Sequence, residues 1–274
     1  SASGLAAGAL RCALRGLAAP YGVVVRGRNR AFDLGLLPIH SCPAPVICIG
    51  NLSLGGTGKT PLVAWAARHL VGLGMRPAIV SRGYGARRGQ ASDEAAELGL
   101  LMPGVPHVAD ANRVAAARRA VATGANAIVL DDGFQHRRLA RDLDIVAVDA
   151  TDPFGCGFLF PRGLLREPLR SLARADAVVL TRSTLVTTER RAEIRETLAR
   201  HVGSPPPVWA EATHRPVALR QSGGGTLPLE SLRGRRIVAC AGIGNPDAFR
   251  RSLEHLGADV AAFRAFADHH AYGV

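Results

Sequence analysis

Two rhythms of apolar and polar positions alternate along this chain. Short apolar runs of the strand kind recur: "PVICIGN" (45–51), "RPAIVSRGYG" (76–85), "ANAIVLDDG" (125–133), "DIVAVDA" (144–150) and "DAVVLTR" (176–182). Helix-like stretches with apolar residues three and four apart lie between them. In "PLVAWAARHLVGLG" (61–74), Val63, Ala67, Leu70 and Val71 make one helical face, and Gly72 or Gly74 ends it. Strands alternating with helices predict an α/β fold, a doubly wound and mostly parallel sheet. In such a sheet ligands bind at the C-terminal ends of the strands, where this sequence places its glycines and paired aspartates.

Two segments depart from that rhythm. Near the N-terminus, Leu10, Leu14 and Leu17 share one helical face, with Arg11 and Arg15 beside it. Arg26, Arg28 and Arg30 follow, and no acidic residue precedes Asp33. Residues 1–35 therefore read as a basic helical segment, either an interfacial helix on anionic lipid or an amphipathic helix packed on the domain. Arginines interrupt its apolar stretch, which fits a secretory signal poorly. The second departure is "GSPPPVWAEATHRP" followed by "QSGGGTLPLESLRG". These sequences divide the chain into a core over 36–204, a linker over 205–235 and a C-terminal α/β unit over 236–274. The last holds one strand–helix–strand unit, with Asn245 or Asp247 as candidate cap of its helix. One such unit is too small to be stable alone and reads as a truncated second domain, or one docked on the first.

Composition fits a globular chain: 47% apolar and 20% charged over 274 residues. With only 5% aromatics, aliphatic side chains must carry the core. The five cysteines form no C-x-x-C pair or His-flanked metal spacing, so they are expected as reduced, small core residues of a cytosolic protein. No apolar run reaches the roughly 20 residues of a spanning helix. A formal charge of +12 points to an anionic partner, nucleic acid or membrane, or to an arginine-rich composition. Scarce aromatics offer few platforms for stacking bases, and no nucleic-acid partner is expected.

Of the 34 basic residues, 33 are Arg and one is Lys, Lys59. It sits in "GNLSLGGTGKTP" (50–61), between a strand and a helix. A lysine is a compact point charge suited to a β/γ-phosphate, where a planar guanidinium is not. Gly55, Gly56, Thr57 and Gly58 would let backbone N–H groups approach phosphates at the helix N-terminus. Lys59 would reach the phosphates of ATP, and the Thr60 hydroxyl would help hold Mg²⁺. The pattern departs from the common P-loop in having Ser53 where its first glycine stands. Asp131 and Asp132, after the buried run "AIVL", occupy the place of a second metal-holding acid. For the proton of an acceptor hydroxyl the candidates are Asp93, Glu94, Asp149, Asp152, Glu167, His136, His269 and His270. Spacing does not choose between them. Arg82, Arg113 and Arg162 are candidate phosphate contacts.

In chain order, "GNLSLGGTGKTP", "SRGYG", "DDGFQHRRLARDLDIVAVDA", "FGCGFLFPRGLLREP" and "AGIGNPDAF" resemble the tetraacyldisaccharide 4′-kinase family, the lipid A 4′-kinases of Gram-negative bacteria. The likeness runs from roughly residue 20 to 272, and in that family the loop with serine at position 53 is the usual form. It implies ATP- and Mg²⁺-dependent phosphorylation of the 4′-hydroxyl of tetraacyldisaccharide 1-phosphate, giving lipid IVA. It also implies peripheral attachment at the cytoplasmic face of the inner membrane. The family's catalytic aspartate matches Asp93, assisted by His269. Two departures stand here: Ser92 replaces the family's glycine, and the segment from Gly85 to Asp93 is shorter. A membrane-associated switch ATPase is the alternative, but those proteins carry a lysine at the position of Leu54.

Overall fold

The computed structural model describes residues 5–83, 93–213, 215–243 and 245–267, with the side chains of 5–7, 93 and 94 excepted. Helix α1 (Leu5–Asp33) comes first. The core then runs β1 (Val46–Asn51), α2 (Lys59–Gly72), β2 (Pro77–Ser81), α3 (Asp93–Leu101), β3 (His107–Ala109), α4 (Arg113–Ala122), β4 (Ala127–Asp131), β5 (Leu143–Asp149), β6 (Ala177–Thr181), α5 (Thr188–Ala199) and β7 (Val208–Glu211). Its seven strands form one sheet in the order β3-β2-β4-β1-β5-β6-β7, and every pairing is parallel. The chain winds to one side of β1 through β2, β3 and β4, then crosses to β5 on the other. The C-terminal ends of β1, β4 and β5 therefore meet at the crevice where an open α/β sheet binds its ligand.

The central strands are apolar because both of their faces are covered. Along β1, Val46 and Cys48 point to one side, packed with Ala78, Val80, Ile128 and Leu130 against Val114 and Ala117 of α4. Ile49 points to the other, packed with Ile79 and Val129 against Val63, Ala67 and Leu70 of α2. A third cluster packs Val146, Val178 and Leu180 against Ile194 and Leu198 of α5. Each buried Val, Leu or Ile contributes about 1.5–3 kcal/mol, so β1 and β4 hold the site on a fully packed part of the sheet. Val71, assigned to the buried face by its spacing, is 48% exposed; Leu70 beside it is the last residue of α2 that packs on the core. Gly74 follows with φ 76, the left-handed conformation expected just past a helix end.

Four strands are additions to the sequence-based picture, two of them in the main sheet. β3 pairs with β2, and β7 pairs with β6 at the opposite edge. β7 lies inside the stretch expected to be a linker, so the main sheet continues past residue 204. Beyond it come a short antiparallel pair, β8 (Leu219–Arg220) and β9 (Thr226–Leu227). A separate parallel pair follows, β10 (Arg236–Ala241) and β11 (Asp259–Ala265), joined by α6 (Pro246–His255). Asn245 caps α6, its Oδ1 accepting from the N–H of Ala248 at 3.0 Å. Of the five cysteines only Cys48 is a core residue; Cys42 is half-buried, and Cys12, Cys156 and Cys240 are exposed.

Helix α1 divides into two halves. Its second half docks on the core through Gly22, Val25, Asn29 and Phe32, all buried. Its first half reaches into solvent, leaving Leu10 and Leu17 each 60% exposed. No helix among the described residues is long and apolar enough to cross a membrane.

Candidate active site

The loop from β1 to α2 has the backbone of a phosphate cradle. Gly55 and Gly58 take φ 99 and 77, values a side chain resists. Gly58 is the N-cap of α2, immediately before Lys59. The orphan N–H groups of the helix start face the loop, where their partial positive charge attracts anions. Thr57 is buried, and its Oγ1 accepts from Asn51 Nδ2 at 2.9 Å. The Thr57 carbonyl accepts from Thr181 Oγ1 at 2.7 Å, tying the loop to the end of β6. Arg182 Nη1 donates to the Gly56 carbonyl at 2.7 Å and pairs with Asp149. Gly55, Gly56, Thr57, Gly58, Lys59 and Thr60 therefore occur together at one strand end and one helix start.

The paired aspartates are beside them. Asp131 is the last residue of β4, level with Ile49 of β1, and is buried. Asp132 turns out of the strand with φ 50. Lys59 Nζ lies 3.6 Å from Asp132 Oδ1. Arg166 grips the same carboxylate with two hydrogen bonds, of 2.9 and 2.7 Å, and reaches Asn51 as well. Burial alone would raise the Asp132 pKa. The Arg166 hydrogen bond and the charges of Lys59, Arg166 and Arg113 outweigh it and hold the carboxyl well below the usual range. Asp132 is thus ionised at any physiological pH.

Close packing fixes this turn. A Cβ on Gly50 would lie 2.6 Å from Phe134 Cβ and 2.8 Å from its backbone nitrogen. Gln135 Nε2 donates to the Asn51 carbonyl at 2.8 Å, and Arg141 Nη2 donates to the Gly133 carbonyl at 2.7 Å. Cations gather around it too. Arg113 is buried, and desolvation together with the facing charge of Arg82 lowers its pKa. His136 is pushed down to about 4 by burial and by Arg113, Arg141, Arg138 and Arg82, so it is neutral at pH 7. Lys59, Arg82, Arg113, Arg166 and Arg182 outnumber Asp131, Asp132 and Asp149 there, a surplus of positive charge suited to a polyanion.

Arg82 and Arg113 are at the site, whereas Arg162 stacks on Phe158 with its Cζ 4.3 Å from the ring centroid. Asp149 has no free capacity as a base: it accepts from Thr151 N and Oγ1, from Arg182 and from Asn245 Nδ2. Glu167 is wholly buried in an ion network, which removes it as well. Asp93 is the first residue of α3, and its side chain is outside the described set. His269 and His270 also lie outside the described residues. Asn51, Arg166, Thr181 and Arg182 were not among the sequence-derived candidates. Among 33 arginines, nothing in composition distinguishes Arg166 or Arg182.

A cleft of about 410 Å³ opens on the other side of Gly58, lined by Pro61, Leu62, Trp65, Thr181 and Thr213 among others. Its apolar walls and adjacency to the cradle suit a planar ring attached to the phosphates held there. Among the described residues no group of three or more His, Cys, Asp and Glu stands ready for a metal. Magnesium needs none, since it uses one or two carboxylates and completes its shell with phosphate and water. Asp131, Asp132 and the Thr60 hydroxyl, all hard oxygen donors, fit that demand.

Comparisons with known proteins show the family of the chain. A family model described as tetraacyldisaccharide-1-P 4′-kinase matches residues 10–274. A tetraacyldisaccharide 4′-kinase of Anaeromyxobacter sp. (strain K) is 46% identical over 276 residues, covering 93% of this chain and 71% of that protein. The enzyme of the same name from Syntrophus aciditrophicus (strain SB) is 41% identical, covering 92% and 74%. Among solved structures, LpxK from Aquifex aeolicus in complex with ATP superposes with a TM-score of 0.73 at 33% identity, covering 95% of this chain and 83% of that one.

Proposed function

The chain belongs to the tetraacyldisaccharide-1-P 4′-kinase family, and from that premise we propose that Lys59, Thr60, Asp131 and Asp132 form its phosphoryl-transfer centre and that Asp93 takes the acceptor proton. It is a kinase that uses ATP to phosphorylate a tetraacyldisaccharide. The acceptor is the 4′-hydroxyl of tetraacyldisaccharide 1-phosphate and the product lipid IVA. The observation that carries the site assignment is the 3.6 Å approach of Lys59 Nζ to Asp132, which puts the single lysine and the aspartate turn at one crevice.

Phosphoryl transfer depends on positioning and charge stabilisation more than on covalent help from the protein. The P-loop N–H groups hold the phosphate chain from behind. Lys59 leaves its ion pair with Asp132 for the β/γ-phosphates. Asp131, Asp132 and Thr60 would hold Mg²⁺, which would supply positive charge to the phosphates. Arg82 and Arg113 meet the remaining charge, from ATP or from the 1-phosphate of the acceptor. Asp93, oriented by His269, takes the proton of the sugar hydroxyl. The cleft beside Gly58 accommodates the base.

The exposed half of α1, with Leu10 and Leu17 outward and Arg11 and Arg15 nearby, supports peripheral attachment to the anionic cytoplasmic face of the inner membrane. The decisive assay supplies Mg-ATP and tetraacyldisaccharide 1-phosphate in detergent and looks for a second phosphate on the lipid. Lys59→Ala and Asp93→Asn should both lose turnover. An active Asp93→Asn enzyme would overturn the base and leave the kinase standing, whereas absence of transfer by the wild-type protein would overturn the kinase assignment.

A further inference from the structure

The residue next to Arg166 faces away from the site, yet it is bound as tightly. Glu167 is a carboxylate with a side-chain exposure of 0%. It accepts from Arg28 Nη2 at 2.7 Å and Asn29 Nδ2 at 3.1 Å, both on α1, and from Arg174 Nη2 at 2.8 Å. Tyr21, one helical stretch earlier, donates its hydroxyl to the Arg166 carbonyl at 2.9 Å. The Arg166 N–H donates to the Leu52 carbonyl, just past β1, at 2.7 Å. Residues 166 and 167 thus join three bodies: the P-loop strand, the docked half of α1 and the aspartate turn.

Two routes lead from Glu167 to Asp132. One is direct, through the neighbouring Arg166 and its double hydrogen bond to the Asp132 carboxylate. The other passes through Arg174, whose Cζ lies 4.4 Å from the ring centroid of the buried Phe134, two residues beyond Asp132. A third tie runs from α1 to the same loop. Arg137 donates to the Asn29 carbonyl at 2.9 Å and pairs with Asp33 at 2.8 Å. The ties of α1 to Arg166, to Glu167 and to Arg137 therefore flank the turn that carries Asp131 and Asp132. Apolar side chains would hold a helix on a core equally well, and a buried ionic cluster is in itself weak evidence for stability. What charge and hydrogen bonding add is direction: they fix the backbone at 166 and 167, from which the Arg166 guanidinium reaches Asp132.

We propose that Glu167 is a positioning residue for phosphoryl transfer, and that the docked half of α1, through Tyr21, Arg28 and Asn29, sets Arg166 and thereby Asp132. Helix α1 is then part of the catalytic apparatus in addition to any contact it makes with lipid. The inference rests on the assignment of Asp132 to the metal site, and its test separates the two. Glu167→Gln keeps the shape and removes the charge. Arg28→Met cuts the link at a side chain that is 39% exposed. Tyr21→Phe removes one hydroxyl. Each is assayed in detergent solution with ATP and tetraacyldisaccharide 1-phosphate across a Mg²⁺ titration, beside Asp132→Asn and with thermal unfolding recorded.

A loss of kcat of about tenfold is expected for Glu167→Gln and Arg28→Met, the scale of a small misplacement at a reacting centre. The half-saturating Mg²⁺ should rise with it. Arg28→Lys should recover most of both, and Tyr21→Phe should show a smaller loss in the same direction. A role in stability alone would lower the unfolding temperature and leave the Mg²⁺ dependence of the folded enzyme unchanged. Wild-type kcat and Mg²⁺ dependence in folded Arg28→Met and Tyr21→Phe, with a shifted Asp132→Asn, would overturn the coupling; these two carry the test if Glu167→Gln does not fold. Wild-type Mg²⁺ dependence in Asp132→Asn would overturn the metal assignment instead. The coupling is then decided by kcat, and wild-type kcat in Arg28→Met overturns it.

Discussion

At the scale of single residues, the site is a set of exchanges waiting for a polyanion. Lys59 and Arg166 both neutralise Asp132, so an incoming phosphate chain can take Lys59 while Arg166 stays and keeps the carboxylate ionised. Replacing Lys59 by Ala removes the mobile partner, and kcat should fall by about 10²-fold or more. Gly50 shows how tightly the same region is packed. A Cβ there meets Phe134 at 2.6 Å and its backbone nitrogen at 2.8 Å. Gly50→Ala should cost about 1–3 kcal/mol in urea unfolding and lower kcat as well, because Phe134 is two residues from Asp132. His136 makes the pH dependence of stability readable. Its folded pKa of about 4 is below the ordinary 6.5, so between those values the unfolded chain binds a proton that the folded one does not. Stability on this account is full above pH 6.5 and falls as pH drops toward 4. His136→Gln should flatten that slope when thermal unfolding is compared at pH 7 and pH 5. The lone lysine and the glycines were legible from composition and spacing alone. Arg166, Arg182 and Asn51 were not, since their roles come from three strand ends meeting in space, which no local pattern records.

Among elements, those with a local signature were the ones the sequence made plain. β1, β4 and β6 are apolar runs because they are covered on both faces, and α2 begins at a loop that only glycine-rich sequence can form. β3 and β7 carried no such signal. β3 is three residues long and only half-buried. β7 is an edge strand with largely exposed side chains after a run of prolines, and it exists because β6 offers it a ladder. Asn245 joins elements in a way that capping rules foresee only in part. Its Oδ1 caps α6, while its Nδ2 donates to Asp149 Oδ2 at 3.1 Å and Thr151 Oγ1 at 3.0 Å. Asp149 in turn holds Arg182 on the P-loop carbonyl of Gly56. Asn245→Ala should therefore lose about 0.5–2 kcal/mol as a cap and also weaken ATP binding. Asn245→Asp, which still caps, places a second carboxylate against Asp149 and should weaken ATP binding without the full loss of stability. Equilibrium unfolding and nucleotide titration of the two variants separate the contributions.

For the whole molecule, the distribution of exposed apolar surface relative to the site is the feature with the clearest consequence. Leu10 and Leu17 are exposed on the free half of α1, and Phe158, Phe160 and Leu164 are exposed on the loop against which α1 docks. Tyr21 meets Phe160 edge-on at 5.9 Å between centroids, so the two groups flank a shared contact. Residues 164 and 165 bond to the P-loop segment at Leu54 and Ser53, which puts this apolar surface beside the phosphate cradle. A substrate with four acyl chains and a reacting sugar needs that adjacency: chains in the lipid surface, hydroxyl at the γ-phosphate. Basic residues near a membrane contribute about 1 kcal/mol each, within a Debye length of roughly 8–10 Å. Vesicle sedimentation should show binding to anionic liposomes that weakens as salt is raised and is much weaker on neutral lipid. Arg11→Gln with Arg15→Gln should lower the salt-sensitive part, and Leu10→Ser with Leu17→Ser the part that survives high salt. Binding that is unchanged in all four positions together would place the lipid contact elsewhere, leaving the loop at Phe158 and Phe160 as the surface that meets the acyl chains.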